Sequence, residues 1–189
     1  MSVDLIVQRF NESSAVLEKA GKHLSRPLEQ AAAMILASLR AGGGVLVMGN
    51  GGSAADAQHI ACELVGRFLK ERRSLRAEAL TTDSSVLTCL ANDYSFERIF
   101  ARQIEGKGRA GDVVVALTTS GNSANVVEGL KTARAMGLRT IAFTGEGGGQ
   151  CAGLADVLLD VPSRSTPRIQ EAHAAAYHVL CELIEQGLD

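Results

Sequence analysis

Side chains that can bind metal ions or transfer protons are concentrated in two segments of the chain. All of the 4 histidines except His23 lie in these segments. The first segment places His59 and Glu63 four positions apart, so that both share one face of a helix. Such a pair can bind zinc or transfer protons, and an ordinary surface pair is the alternative. Arg67, four positions further on, is predicted on the same face, where it would pair with Glu63 or reach an anionic substrate.

The second segment lies near the C-terminus and carries Gln170, Glu171, His173 and His178. On a helix, Gln170 and His178 are separated by about 12 Å along the axis and by roughly 80° around it. Both can reach one ion only if long side chains tilt toward each other, if the first turn is irregular, or if one of them acts across a subunit boundary.

A glycine-rich loop ahead of the first segment can bind an anion. It reads Gly49-Asn50-Gly51-Gly52-Ser53-Ala54-Ala55-Asp56 and follows a short apolar run. Its glycines allow a ligand to approach the backbone closely. Ser53 is predicted to cap the next helix, whose first N–H groups and dipole favour negative charge.

The same loop also fits a different function. Gly49, Gly51 and Ala54 satisfy the loose dinucleotide-binding fingerprint, and Asp83 is then the candidate acid for a ribose. The lysine of a phosphate-binding loop of the Walker type is missing, which excludes a nucleotide triphosphatase.

A second loop is unusually rich in hydroxyl groups. It reads Thr118-Thr119-Ser120-Gly121-Asn122-Ser123-Ala124-Asn125 and also follows an apolar run. Hydroxyls at a helix N-terminus can surround a phosphate with neutral donors while the helix dipole supplies the electrostatic attraction. A turn followed by an ordinary serine cap is the alternative. A phosphorylated small molecule has a use for this loop, whereas a dinucleotide enzyme has no evident one.

Short apolar runs alternate with helical patterns along most of the chain, which is typical of a parallel sheet covered on both faces. The predicted strands are Val45–Met48, Arg76–Leu80, Val113–Leu117, Thr140–Phe143 and Val157–Val161. The predicted helices that alternate with them are Ser53–Lys70, Ser84–Ala91, Tyr94–Glu105, Ser123–Met136 and Pro167–Gln186. We predict an α/β fold, a doubly wound three-layer sandwich around a five-stranded parallel sheet. Ligands of such sheets bind beyond the carboxyl ends of the strands.

Two helices are predicted ahead of the first strand, from Val3 to Leu24 and from Leu28 to Ala41. Ser25-Arg26-Pro27 supplies a helix start between them, and the glycines at 42–44 end the second helix. They form an N-terminal helical extension, residues 1–42, of a single domain that we predict over residues 1–189. Their apolar residues can pack on the domain itself or against a neighbouring subunit.

The composition excludes several classes of protein. The formal net charge of −2 and the aromatic content of 4% argue against nucleic-acid binding. The longest apolar runs fall far short of the ~20 residues that cross a bilayer, so we predict no membrane span. The first residues do not resemble a signal peptide, which favours a cytoplasmic protein. The 4 cysteines are too widely spaced for a zinc knuckle or a disulfide framework.

The motifs together resemble a known family. They are the first loop extended to His59, then Ala91-Asn92-Asp93-Tyr94, Thr119-Ser120-Gly121-Asn122-Ser123 and Arg168-Ile169-Gln170-Glu171-x-His173. In this order and spacing they are similar to the phosphoheptose isomerases of the sugar isomerase (SIS) domain superfamily, over nearly the whole chain. The resemblance implies a cytoplasmic homotetramer with active sites shared between subunits. It also implies the conversion of sedoheptulose 7-phosphate to D-glycero-D-manno-heptose 7-phosphate, the first step toward an activated heptose.

The resemblance further implies roles for individual residues. The phosphate of the sugar would be held by Ser53, Thr118, Thr119, Ser120 and Ser123, next to Asn50, Gly51 and Gly52 of the first loop. The sugar would contact Arg67, Asn92 and Asp93, and Glu63 and Gln170 would also bind the substrate. One zinc ion per subunit would be bound by His59, Glu63, Gln170 and His178. Glu63 and His178 would also transfer protons, Glu63 as the base and His178 as its acid partner in an enediol mechanism.

Three positions depart from some members of the family. Thr118 replaces a serine and keeps the hydroxyl, whereas Cys62 replaces a second glutamate and leaves Glu63 as the one carboxylate on that turn. Pro167 replaces an aspartate that touches substrate in those members, and a proline cannot make that contact.

A non-catalytic tetramer of the same superfamily, which binds the bacterial replication initiator, is the alternative function. The stretch Ser53-Ala54-Ala55 and the C-terminal segment are similar to that branch too. The joint presence of Glu63, Gln170 and His178 favours the isomerase, because an adaptor has no use for this set.

Overall fold

A computed structural model describes residues 3–188 as one parallel sheet between two layers of helices. The strands are β1 (Val45–Gly49), β2 (Ala77–Ala79), β3 (Val113–Leu117), β4 (Arg139–Thr144) and β5 (Val157–Asp160), arranged in the order β2-β1-β3-β4-β5. The helices are α1 (Val3–Arg40), α2 (Gly52–Val65), α3 (Ser84–Asp93), α4 (Ile99–Lys107), α5 (Ala124–Ala135) and α6 (Thr166–Gly187). Short 3-10 turns cover Phe96–Arg98 and Gly149–Gly153. The doubly wound α/β fold is confirmed.

Alternating side chains of the strands contact the two helix layers. Val113, Val115 and Leu117 of β3 point into a core with α1, α2 and α6. Val114 and Ala116 point to the other face, which is covered by α3, α4 and α5. All residues of β1 and β3 are therefore buried, which explains why their sequences are apolar throughout.

The predicted strands agree with the structure to within one residue at each end. β2 is shorter than the predicted Arg76–Leu80, because it lies at the sheet edge and pairs with β1 over Ala77–Ala79 only. Arg76 instead forms an ion pair with the buried carboxylate of Asp112.

The prediction of two separate N-terminal helices is wrong. A single helix, α1, runs for 38 residues from Val3 to Arg40 with Pro27 in its interior. A proline inside a helix removes one backbone hydrogen bond and crowds the preceding turn. Leu24 and Leu28, on either side of Pro27, are both buried in the same core, and their packing offsets this cost.

The two halves of α1 have different surroundings. From Ala20 onward one face of the helix is buried against the domain, mainly against α6. The first turns expose large apolar side chains, and Val3 and Phe10 are each 73% exposed. No helix within residues 3–188 combines the length and the apolarity that a membrane span requires. The 4 cysteines are all free.

Replacing Pro27 with alanine is expected to stabilise the protein. Alanine restores the missing backbone donor in a helix that is already continuous, and we expect the free energy of unfolding to rise by about 1–3 kcal/mol. Urea unfolding of Pro27→Ala measures this, with the neighbouring exposed Arg26→Ala as the matched control. A lower midpoint than that of the control variant would show that the proline ring stabilises α1 where it is.

Candidate active site

The two predicted anion loops meet at one point on the sheet edge. β1 and β3 are neighbours, but the chain leaves β1 toward α2 on one face and leaves β3 toward α5 on the other. A gap opens at such a switch point, and ligands of doubly wound sheets bind there. Asn50 of the first loop and Asn125 of α5 exchange two amide hydrogen bonds of 2.8 Å across it.

Three hydroxyl groups of the second loop converge. Thr118 Oγ1 lies 3.1 Å from Ser123 Oγ and 3.5 Å from Ser120 Oγ. Ser123 is the N-cap residue of α5, but its hydroxyl makes no capping bond and faces Thr118 instead. The hydroxyls therefore lie beside the N-terminus of α5, whose dipole favours an anion such as a phosphate.

A glycine allows the second loop to fold tightly. Gly121 has φ of 66°, and a Cβ atom there would lie 2.1 Å from the carbonyl oxygen of Gly148. Thr119 and Ser120 line a cleft of about 370 Å³ together with Glu146, Arg164 and Thr166. The hydroxyl loop thus opens onto a space that a small polar ligand can enter.

The first loop differs from the prediction in its cap. α2 begins at Gly52 with Gly51 as the N-cap residue, so Ser53 lies inside the first turn and makes no capping bond. Gly51 adopts a positive φ of 57°, which favours glycine, and the helix starts directly after it. Gln170 of α6 reaches this loop, since a Cβ atom on Gly52 would lie 2.5 Å from its Nε2. The glycine therefore permits α6 to approach the start of α2.

His59, Glu63 and His178 form a cluster between α2 and α6. The Nε2 atom of His59 lies 3.0 Å from Glu63 Oε1 and 3.4 Å from Nε2 of His178. The structure thus joins three predicted residues from the two segments that the sequence singled out. Glu63 and His178 both approach His59 rather than each other.

The donor set of this cluster is compatible with zinc. Two atoms bound to a tetrahedral zinc at 2.0–2.1 Å are separated by about 3.3–3.4 Å. The two imidazole nitrogens, at 3.4 Å, have this separation. Within residues 3–188, however, no group of three or more His, Cys, Asp or Glu side chains is arranged to hold a metal ion. A zinc site at this cluster therefore requires some of these side chains to rearrange.

The sequence analysis missed two residues that orient His59. The hydroxyl of Tyr177 lies 3.1 Å from Nδ1 of His59 and donates to Asp56 Oδ1 at 3.4 Å. Burial, with the nearby Asp56 carboxylate, raises the pKa of Tyr177 to about 12, so its proton is retained. If that proton points to Asp56, Nδ1 of His59 is the protonated nitrogen and Nε2 presents its lone pair to the cluster.

Other predicted residues are not joined to this cluster. α2 ends at Val65 rather than at Lys70, so Arg67 lies beyond the helix, and the prediction that it shares the face of Glu63 is wrong. Its guanidinium lies 3.7 Å from Glu71. Asn92 and Asp93 end α3 and hydrogen bond to each other at 2.8 Å.

Two further residues that the sequence singled out serve the fold. Asp83 caps α3 by accepting the N–H of Val86, which accounts for its carboxylate without a ribose. His173 is fully buried and bonds through Nε2 to the carbonyl of Thr144. Burial lowers its pKa to about 4, so His173 is a neutral core residue.

Removing the hydroxyl of Tyr177 is expected to disturb His59 and to leave the fold intact. In Tyr177→Phe the Nδ1 atom of His59 loses its partner, and the mixture of its two neutral tautomers shifts. Losing a residue that orients such a histidine typically costs 10- to 100-fold in activity or metal affinity, and we expect about 10-fold in kcat. Nitrogen-15 NMR of the imidazole measures the tautomer. An unchanged tautomer in a variant with normal kcat would remove Tyr177 from the site.

Comparisons with known proteins agree with this geometry. The SIS domain family matches residues 8–145. The phosphoheptose isomerase of Rhodospirillum rubrum is 55% identical over 161 residues, which cover 85% of this chain and 86% of that protein. The phosphoheptose isomerase structure from Neisseria gonorrhoeae has a TM-score of 0.92 at 45% identity, covering 97% of this chain and 98% of that one. The structure from Francisella tularensis has a TM-score of 0.95 at 36% identity, covering 98% and 99%. The chain belongs to the phosphoheptose isomerases of the SIS domain family.

Proposed function

We propose that this enzyme converts sedoheptulose 7-phosphate to D-glycero-D-manno-heptose 7-phosphate, an aldose–ketose isomerisation. One observation carries the proposal beyond family membership. A hydroxyl-lined anion loop and a cluster of proton-transferring side chains border the same switch point of the sheet. A phosphosugar needs both, because its phosphate must be held while protons move at its other end.

The second loop would bind the phosphate. Thr118, Ser120 and Ser123 supply clustered hydroxyl donors, and the N-terminus of α5 adds a favourable dipole. Thr119 and Ser53 complete the proposed set, with Asn50, Gly51 and Gly52 beside them. None of these groups carries a charge, so the phosphate is bound by hydrogen bonds and by the helix terminus.

Glu63 and His178 would transfer the protons. Isomerisation through an enediol moves one proton between C1 and C2 and another between the oxygens on those carbons. A carboxylate is suited to the carbon proton and an imidazole to the oxygen proton, and each contributes ~10²–10⁴-fold when it is well positioned. His59 lies between the two side chains, with its Nε2 atom 3.0 Å from Glu63 Oε1 and 3.4 Å from Nε2 of His178. Arg67, Asn92 and Asp93 remain proposed contacts of the sugar.

A zinc ion bound by His59, Glu63, Gln170 and His178 is part of the proposal. When bound, it would polarise the carbonyl oxygen of the sugar and stabilise negative charge there. The spacing of the two imidazole nitrogens supports it. Glu63 then has two partly conflicting roles, since a carboxylate that binds a metal is a weaker base.

The proposal also includes a cytoplasmic homotetramer with no nucleic-acid partner. The exposed apolar side chains at the start of α1, among them Val3, Ile6 and Phe10, support contacts between subunits. The alternative of an adaptor for the replication initiator is not supported, because relatives about half identical over most of the chain are isomerases.

Glu63→Gln is expected to abolish isomerisation and to leave phosphosugar binding intact. The amide cannot accept the carbon proton, and we expect kcat to fall by ~10²–10⁴-fold. NMR of aldose formation measures turnover, and calorimetry measures binding. Ser120→Ala is the matched control, since losing one hydrogen bond to a charged phosphate raises KM by about tenfold with little change in kcat. Near-normal turnover in Glu63→Gln would remove Glu63 from the mechanism.

Zinc removal is expected to reduce turnover. We expect the metal-free enzyme to regain activity with one equivalent of zinc, and His178→Gln to bind zinc at least about tenfold more weakly in a chelator competition. Turnover that does not depend on zinc would leave Glu63 and His178 as a bare acid–base pair. Absence of turnover in both forms, with the sugar still bound, would contradict the isomerase itself.

A further inference from the structure

A buried carboxylate near the end of α6 holds an irregular segment beside the candidate site. Glu185 is only 3% exposed. It accepts the backbone N–H groups of three consecutive residues, Phe68 at 2.7 Å, Leu69 at 2.8 Å and Lys70 at 2.9 Å. Burial alone would raise the pKa of this carboxyl, but these donors and Arg72 more than offset it, and the net pKa is lowered. Glu185 is therefore ionised in the folded protein at neutral pH.

Arg72 extends this network to the helix that carries Glu63. Its Nε atom donates to Glu185 at 3.1 Å. Its terminal nitrogens donate to the carbonyls of Glu63 at 2.6 Å, Leu64 at 2.9 Å and Gly66 at 3.0 Å. These are carbonyls at the C-terminus of α2, where a cation is favourable. The last turn of α2 is thus fixed through a side chain that Glu185 itself orients.

Phe68 connects the same segment to His178. Its ring is stacked on the imidazole of His178, with the centroids 5.7 Å apart and an interplanar angle of 17°. His59 and Tyr177 contact the same imidazole edge-on, at centroid distances of 5.0 and 4.8 Å. Phe68 is therefore the ring that lies parallel to His178, whereas His59 and Tyr177 contact it edge-on.

We propose that Glu185 is a positioning residue for the isomerase: it fixes the segment 66–73 so that Phe68 holds the ring of His178 and Arg72 holds the turn that bears Glu63. The inference rests on the proposed function in one respect, the assignment of Glu63 and His178 as the proton-transferring pair. A buried ionic contact adds little net stability compared with apolar packing, whereas several donors on one carboxylate define a single backbone shape. The role of Glu185 is therefore geometric.

The test compares three variants of the full-length enzyme. In Glu185→Gln an NH2 group replaces one acceptor and faces backbone donors, which releases the segment. Phe68→Leu keeps the carboxylate network and removes only the stacked ring. Glu182→Gln is the matched control, because Glu182 is an exposed glutamate one turn earlier on α6 whose carboxylate accepts from Gln186.

We expect kcat to fall at least about tenfold in Glu185→Gln and in Phe68→Leu, since a misplacement of about 1 Å can cost 10²-fold. KM is expected to rise in Glu185→Gln, which also displaces Arg67, and to stay unchanged in Phe68→Leu. A mere loss of folded protein would lower the apparent kcat and leave KM unchanged, so KM distinguishes the two causes for Glu185→Gln, and the His178 signals of the folded protein distinguish them for Phe68→Leu. The ring-proton NMR signals of His178, assigned through His178→Gln, should move downfield in both variants and stay in place in Glu182→Gln.

The outcomes separate this inference from the proposed function. An inactive wild-type enzyme contradicts the function, while the His178 signals still report whether Glu185 and Phe68 hold that ring. Unmoved signals in Phe68→Leu, or wild-type kcat in that variant, overturn the inference. If Glu185→Gln does not fold, Glu185→Asp takes its place, because it keeps the charge but withdraws the carboxylate from the N–H groups of 68–70. Wild-type kcat with unmoved His178 signals in the folded variant overturns the inference as well.

Discussion

The arrangement of the site depends on the adjacency of β1 and β3 at the centre of a parallel sheet. Their carboxyl ends are neighbours, and the helices that follow leave on opposite faces. Two helix N-termini therefore border one gap, which the paired amides of Asn50 and Asn125 span. His59 follows the start of α2 by about 10 Å along the helix axis. A substrate with phosphate at one end and reacting carbons at the other matches this separation of an anion site from a proton-transferring cluster.

The second constraint is the crowding of electron-pair donors around His59. The Nε2 atom of His59 contacts both a carboxylate oxygen of Glu63, at 3.0 Å, and the Nε2 atom of His178, at 3.4 Å. Lone pairs repel at such distances unless a proton or a cation lies between them. Tyr177 contacts the opposite nitrogen of the same ring and also lies 3.4 Å from Asp56 Oδ1, so the direction of its hydroxyl proton selects the tautomer of His59. The cluster is thus arranged to accept positive charge, which both a proton-transfer mechanism and a bound zinc ion require.

The sheet and its loops could be predicted from the sequence because buried parallel strands are apolar throughout and the loops are rich in glycine and hydroxyl groups. The predicted break in α1 is wrong because the burial of Leu24 and Leu28 offsets the energetic cost of Pro27, which local rules treat as a helix boundary. His173 and His178 are separated by about 140° around α6, so one enters the core and the other the site. The apolar neighbours Ile169, Ala172 and Ala176, which share the face of His173, were the signal that could have distinguished them.

The end of α2 could not be predicted locally, because its determinant is far away in the chain. Glu185 is 117 residues from Phe68. No sequence pattern around Val65 predicts that a distant carboxylate accepts the backbone N–H groups that follow the helix. An apolar residue at position 185 could fill the same volume, but packing is non-directional and would leave the peptide groups of 68–70 unpaired. A buried carboxylate satisfies several of them at once and so fixes their orientation. Because Arg72 and Phe68 belong to the same segment, that orientation extends to both side chains on which proton transfer is proposed to depend.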